Sequence, residues 1–202
     1  MSRSGERIFI DGGAGKIETA VDRPESAPRG VALVAHPHPL YGGSLDNKVV
    51  QTLAKTFVEL GYVSLRPNFR GVGKSEGVHD EGNGETEDLL LVAAHAKKEF
   101  GKVPLVLAGF SFGAVVQTQV AKRAAPNRMV LVGVAIGRFA SETVPTDSIV
   151  IHGELDETIP LAKVLDWARP QELPVVVIPG ADHFFHLRLH LIKSIVKGSW
   201  RY

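Results

Sequence analysis

The segment Gly109-Phe110-Ser111-Phe112-Gly113 places one serine between two glycines. It follows an apolar run, Pro104–Ala108, and leads into a helix-length apolar segment, Ala114–Ala124. In a strand–turn–helix setting such a serine sits on a tight turn that exposes its hydroxyl, and its neighbours must be small. The amide of Phe112, at the head of the helix, could stabilise a developing oxyanion. Outside that setting the same residues read as a glycine-bounded helix start with Ser111 as an ordinary N-cap. A serine hydroxyl is a weak nucleophile without a base, and the base needs an orienting carboxylate. Downstream, the run Ser148–Ile151 enters His152-Gly153-Glu154-Leu155-Asp156-Glu157, and Pro174–Ile178 enters Pro179-Gly180-Ala181-Asp182-His183. Each possible partner lies just past the carboxyl end of a predicted strand, on the same rim as Ser111. Glu154 and Glu157 flank Asp156, and either could be the acid if the loop is offset. Asp182 adjoins His183 in sequence, so its side chain is expected to point elsewhere and cap the last helix.

Other polar groups read more simply. His36-Pro37-His38 has the spacing of a metal pair, but Pro39-Leu40-Tyr41-Gly42 follows where an acidic ligand and another histidine would be needed. No metal site and no cofactor are expected. His186 and His190 fall with Lys193 and Lys197 on a polar face, His95 lies near Lys98 and Glu99, and His152 closes a strand in a structural role. Gly73-Lys74-Ser75 ends like a phosphate-binding loop, yet Asn68 stands at the first glycine position and no helix follows. Gly71-x-Gly73 fails the dinucleotide pattern because position 76 is Glu.

The elements that position these residues alternate along the chain. Ile8–Val21 reads as a hairpin turning at Gly12-Gly13-Ala14-Gly15, and Gly30–Ala35 as a strand buried on both faces. Asn47–Leu60 has helical spacing, with Asp46 or Asn47 as N-cap and Gly61 as terminator. Strand Tyr62–Arg66, helix Glu85–Phe100, strand Pro104–Ala108 and helix Gly113–Ala124 follow. Strands Met129–Ala135 and Ser148–Ile151, a helix from Pro160, strand Pro174–Ile178 and helix Phe184–Val196 complete the chain. The last helix is expected to carry Phe184, Leu187, Leu191 and Ile195 on one stripe. This order argues one α/β domain over residues 1–202, with a mostly parallel sheet of about eight strands and helices on both faces. Sheets of this kind bind ligands outside the carboxyl ends of their strands.

Composition sets the outer bounds. The chain has 202 residues, no cysteine, and Lys+Arg 23 against Asp+Glu 22 for a net charge of +1. No disulfide, cysteine-ligated metal or cysteine nucleophile is available, and nucleic-acid binding is not expected. No apolar run approaches the ~20 residues of a membrane span. The charged start, Met1 to Arg7, is followed by no apolar leader core. A cytoplasmic protein without membrane association is the expectation.

The segments Ala35-His36-Pro37-His38-Pro39-Leu40-Tyr41-Gly42-Gly43, Asn68-Phe69-Arg70-Gly71-Val72-Gly73-Lys74-Ser75, Gly109 to Ala114, His152 to Pro160 and Gly180 to His186 resemble, in order, those of the α/β-hydrolase superfamily. The likeness is greatest to its small lidless bacterial members. The resemblance implies Ser111 as nucleophile, Asp156 as acid and His183 as base. It also implies that the loop after Gly30–Ala35 supplies a second oxyanion donor. Pro37 and Pro39 have no N–H, so the amide of His38 is the first choice, followed by Leu40 or Tyr41. The short link Gly137–Asp147 has no room for the helical cap of larger relatives. An open cleft walled by Leu40, Tyr41, Phe110, Phe112, Phe139, Ile159 and Phe184 is expected, suited to small or exposed acyl esters. Arg138 is read as a surface residue. The other readings are a non-catalytic binding protein on this fold, or an acyltransferase, thioesterase or amidase using the same three residues. The partner expected is a small-molecule ester. The protein would be a monomer or a homodimer, with the last strand and Trp200-Arg201-Tyr202 available to a dimer contact.

Overall fold

A run such as Gly30–Ala35, with no polar side chain, has to be covered on both faces, and the chain supplies helices to both. In the computed structural model, which describes residues 5–200, Glu6–Gly12 (β1) and Gly15–Asp22 (β2) form the antiparallel hairpin. Then come Gly30–Ala35 (β3), Lys48–Glu59 (α1), Tyr62–Pro67 (β4), Asn83–Phe100 (α2), Leu105–Phe110 (β5) and Phe112–Ala124 (α3). Arg128–Val132 (β6), Ile149–Gly153 (β7), Leu161–Ala168 (α4), Val175–Ile178 (β8) and Leu189–Ser199 (α5) follow. The eight strands run in the order β1-β2-β4-β3-β5-β6-β7-β8, parallel from β4 to β8. The fold is the α/β architecture expected from the sequence.

Alternate residues of each central strand enter opposite cores, as the two-residue period of a strand requires. Leu33, Leu65, Leu107, Met129 and Leu131 pack with Leu89 and Val92 of α2 and Val115 and Val120 of α3. Ala32, Val34, Val106, Ala108 and Val130 pack with Leu53 and Phe57 of α1 and Ile192 and Val196 of α5. Asn47 caps α1, its side chain accepting from the amides of Val49 and Val50. From β3 the chain crosses by α1 to β4 on one side, whereas from β5 it crosses by α3 to β6 on the other. The strand order therefore reverses between β3 and β5, and their carboxyl ends flank the crevice where such folds bind ligands.

Three expectations need correction. The strand read as Met129–Ala135 stops at Val132, because Gly133 turns the chain at φ 52°. The last helix begins at Leu189 instead of Phe184: Phe185 and Leu187 have left-handed backbones, φ 54° and 59°, which no α-helix contains. The stripe expected from Phe184 is thus broken, and α5 buries Ile192 and Val196. Trp200 is not offered to a partner either. It is buried against Phe57 and Tyr62, with Arg128 over its ring. Arg201 and Tyr202, like residues 1–4 of the charged start, lie outside the described residues.

Candidate active site

Ser111 stands where β5 passes into α3, and the two glycines make that turn possible. A Cβ on Gly113 would lie 2.4 Å from the carbonyl oxygen of His36, and one on Gly109 would lie 2.6 Å from the backbone of Gly113. Both contacts are with backbone, so neither can yield cheaply. Ser111 itself adopts φ 55° and ψ −117°, a conformation that costs a non-glycine residue about 1–3 kcal/mol. Its amide donates to Val132 O on β6, and its carbonyl accepts from Ala114 and Val115, which fixes the turn at both ends.

That turn aims the hydroxyl at His183. His183 Nε2 lies 3.0 Å from Ser111 Oγ, and its Nδ1 lies 2.6 Å from Asp156 Oδ2. A carboxylate only accepts, so Nδ1 carries the ring proton and Nε2 is left to accept from the serine. All three side chains are buried. Asp156 is fixed through its second oxygen, which accepts from the Ile159 amide at 2.7 Å. His152 supports the same loop from within: Nε2 donates to Ile159 O at 2.9 Å and lies 3.4 Å from Asp156 Oδ2. Burial holds the His152 imidazole below its ordinary pKa, so it braces the loop as a neutral ring. The neighbouring acids are occupied elsewhere. Glu154 accepts from the Gly180 amide, and Glu157 is exposed. Asp182 caps the turn after it, accepting from the amide and ring of His186, so it does not start the last helix as expected.

The loop after β3 begins with a fully buried imidazole. His36 Nδ1 donates to Pro37 O at 2.6 Å, and Nε2 accepts from the Phe69 amide at 2.9 Å. Burial pushes its pKa down to about 4, and neither nitrogen is free for a metal pair with His38. Beyond it, Pro39–Tyr41 forms one 3₁₀ turn. Two of the three candidate amides are already engaged there, Leu40 N–H with His38 Nδ1 and Tyr41 N–H with His38 O. Among the described residues the amides of His38 and Phe112 donate to nothing.

The expected cleft wall divides in two. Leu40, Tyr41 and Phe184 are exposed, Tyr41 at 82%. Phe110, Phe112 and Ile159 are buried and support the site from beneath, so they do not line an open cleft. Phe110 lies under the His183 ring at 5.1 Å, and Phe139, half-buried, packs on Phe112 at 4.8 Å. Arg138 is tied to Thr158 O. Sequence reasoning missed His79, and it read Glu85 only as the start of a helix. Glu85 is buried, accepting from the amides of Asp80 and Gly82 and lying 3.0 Å from His79 Nδ1. His79 in turn packs against His38 and Phe112. A histidine and a glutamate six positions apart across a helix start form no recognisable spacing, so only the fold reveals them.

Residues 27–183 match the family model described as serine aminopeptidase, S33. The chain belongs to this family. Solved structures of α/β serine hydrolases resemble it closely. The crystal structure of XC6422 from Xanthomonas campestris, described as an α/β serine hydrolase without lid, is 34% identical, with TM-score 0.93 over 98% of this chain and 94% of that one. An α/β serine hydrolase homologue from Coxiella burnetii is 36% identical, with TM-score 0.88 over 98% and 99% of the two chains. RP471 of Rickettsia prowazekii (strain Madrid E) is 32% identical over 90% of this chain and 83% of its own. Like XC6422, this hydrolase is lidless: the link from β6 to β7 contains no helix. Among the described residues no helix is long and apolar enough to cross a membrane.

Proposed function

We propose that this hydrolase is a serine carboxylesterase that cleaves small or exposed acyl esters through an acyl-enzyme. The observation that carries the reading is the unbroken chain Ser111 Oγ–His183 Nε2, His183 Nδ1–Asp156 Oδ2, assembled at the ends of β5, β7 and β8. His183 takes the hydroxyl proton as Ser111 Oγ attacks the ester carbonyl. Asp156 holds the imidazole in the required tautomer and stabilises the imidazolium. The amides of Phe112 and His38 donate to the tetrahedral oxyanion, which collapses as the C–O bond breaks and His183 returns its proton to the leaving alcohol. Water, deprotonated by the same imidazole, then attacks the acyl-serine; the acid leaves and the proton returns to Ser111.

Intact-mass labelling with a fluorophosphonate tests it. One adduct is expected on the wild-type protein and none on Ser111→Ala or His183→Ala. The proposal fails if the folded wild-type protein takes up no label, the outcome a binding protein on this fold would give. It also fails if Ser111→Ala hydrolyses p-nitrophenyl esters at the wild-type rate.

A further inference from the structure

The imidazole of His38 is held in one tautomer by its own loop. Leu40 N–H donates to Nδ1 at 3.2 Å, which leaves the proton of the neutral ring on Nε2. Burial, and then the neighbouring His79, hold the imidazole pKa below its ordinary value, so the neutral form dominates at neutral pH. Four rings surround it: Tyr41 at 4.7 Å, His79 at 4.6 Å, Phe112 at 4.9 Å and Phe139 at 5.3 Å. A ring gripped this way cannot swing to find a partner, and among the described residues Nε2 has none. The ring is nevertheless not closed off: His38 is half-buried, and its Nε2 is not among the sealed, unpartnered atoms of the protein. A fixed donor with no internal acceptor thus stands beside Phe112, next in sequence to the proposed nucleophile.

We infer that the His38 side chain is a specificity-determining donor, its Nε2–H meeting an acceptor oxygen on the acyl chain of the ester. The inference rests on the esterase reading, which also settles the side of the substrate concerned. His183 returns its proton to the leaving oxygen, so the alcohol lies against His183 and the exposed Phe184 beside it. The carbonyl oxygen lies between the amides of Phe112 and His38. The acyl chain is then the substituent that runs past the His38 ring and the exposed Tyr41. The preferred class is a short acyl group bearing an oxo, hydroxy or ether oxygen a few bonds from the ester carbonyl.

The test compares p-nitrophenyl 4-oxopentanoate with p-nitrophenyl pentanoate, which share a leaving group and differ by one carbonyl oxygen. For each, kcat/KM is divided by the rate of hydroxide hydrolysis of the same ester. The corrected ratio is expected to favour the oxo ester by about 3–10-fold, the worth of one hydrogen bond. His38→Phe keeps an aromatic ring among Tyr41, Phe112 and Phe139 but has no donor, and it should bring the ratio to about 1. His38→Asn offers the short cap back to the Leu40 amide without the reach of Nε2, and should do the same. A wild-type ratio of 1 with both esters turned over overturns this inference and leaves the esterase reading intact. So does a preference that survives in both variants. If neither ester is turned over, the esterase reading fails and takes this one with it.

Discussion

His36 offers a sharp test of how burial at the start of the loop after β3 controls stability. Its pKa of about 4 compares with an ordinary 6.5, so between these values the unfolded chain binds a proton that the folded protein refuses. Stability therefore rises with pH through this window and is lost as pH falls from about 6.5 towards 4. One such group loses about 2 kcal/mol between pH 7 and pH 5, and about 3 kcal/mol once the whole window is crossed. That is a large share of the roughly 5–15 kcal/mol available to a domain. His36→Gln keeps a donor for Pro37 O and an acceptor for the Phe69 amide while removing the titration. Urea unfolding at pH 7, 6 and 5, extrapolated to water, measures the difference. The variant is expected to be less stable than wild type at pH 7, through imperfect packing. Its stability should fall with acid by about 2 kcal/mol less over the same range. Parallel pH curves for the two proteins would refute the reasoning, since the acid sensitivity would then arise elsewhere.

Gly113→Ala forces a Cβ to within 2.4 Å of the His36 carbonyl and 2.6 Å of Ala35. We expect a loss of about 1–3 kcal/mol in urea unfolding, together with loss of phosphonate labelling because β3 and the serine turn are pushed apart. A variant that folds and labels like wild type would show that this close approach is not required. With no helical cap between β6 and β7, p-nitrophenyl acetate and butyrate are expected to be turned over with higher kcat/KM than the palmitate. A marked preference for the palmitate would contradict the expectation of an open cleft.

The serine turn and the order of its partners were legible because the signals are local. Two glycines, an apolar strand and a following helix define the turn, and each partner loop directly follows a strand. The candidate acid needed the fold, since Glu154, Asp156 and Glu157 differ only in where the loop points them, and only Asp156 is turned to His183, held there by the Ile159 amide. The cleft wall was half legible. Phe110 and Ile159 are near the serine and the acid in sequence, but the pleat of β5 and the turn before α4 direct them into the core. The helix expected from Phe184 failed for a related reason. Phe185 packs into the core shared by α1 and α5, and meeting that demand puts its backbone in the left-handed region. Periodicity then counted Phe184 and Leu187 as helix-face residues although both are exposed, Leu187 at 90%.

Ser111 and His183 are separated by 72 positions, and His183 follows β8, the edge strand that pairs with β7. On a ribosome, where a chain emerges from its N-terminus, the central strands and the serine turn are made well before the imidazole exists. A stalled chain ending before Val175 would thus carry the proposed nucleophile without its proposed base and is expected to take up no phosphonate; labelling of such a chain would contradict this. The proposed acyl-transfer chemistry is thus withheld until the residues that follow β8 have been made.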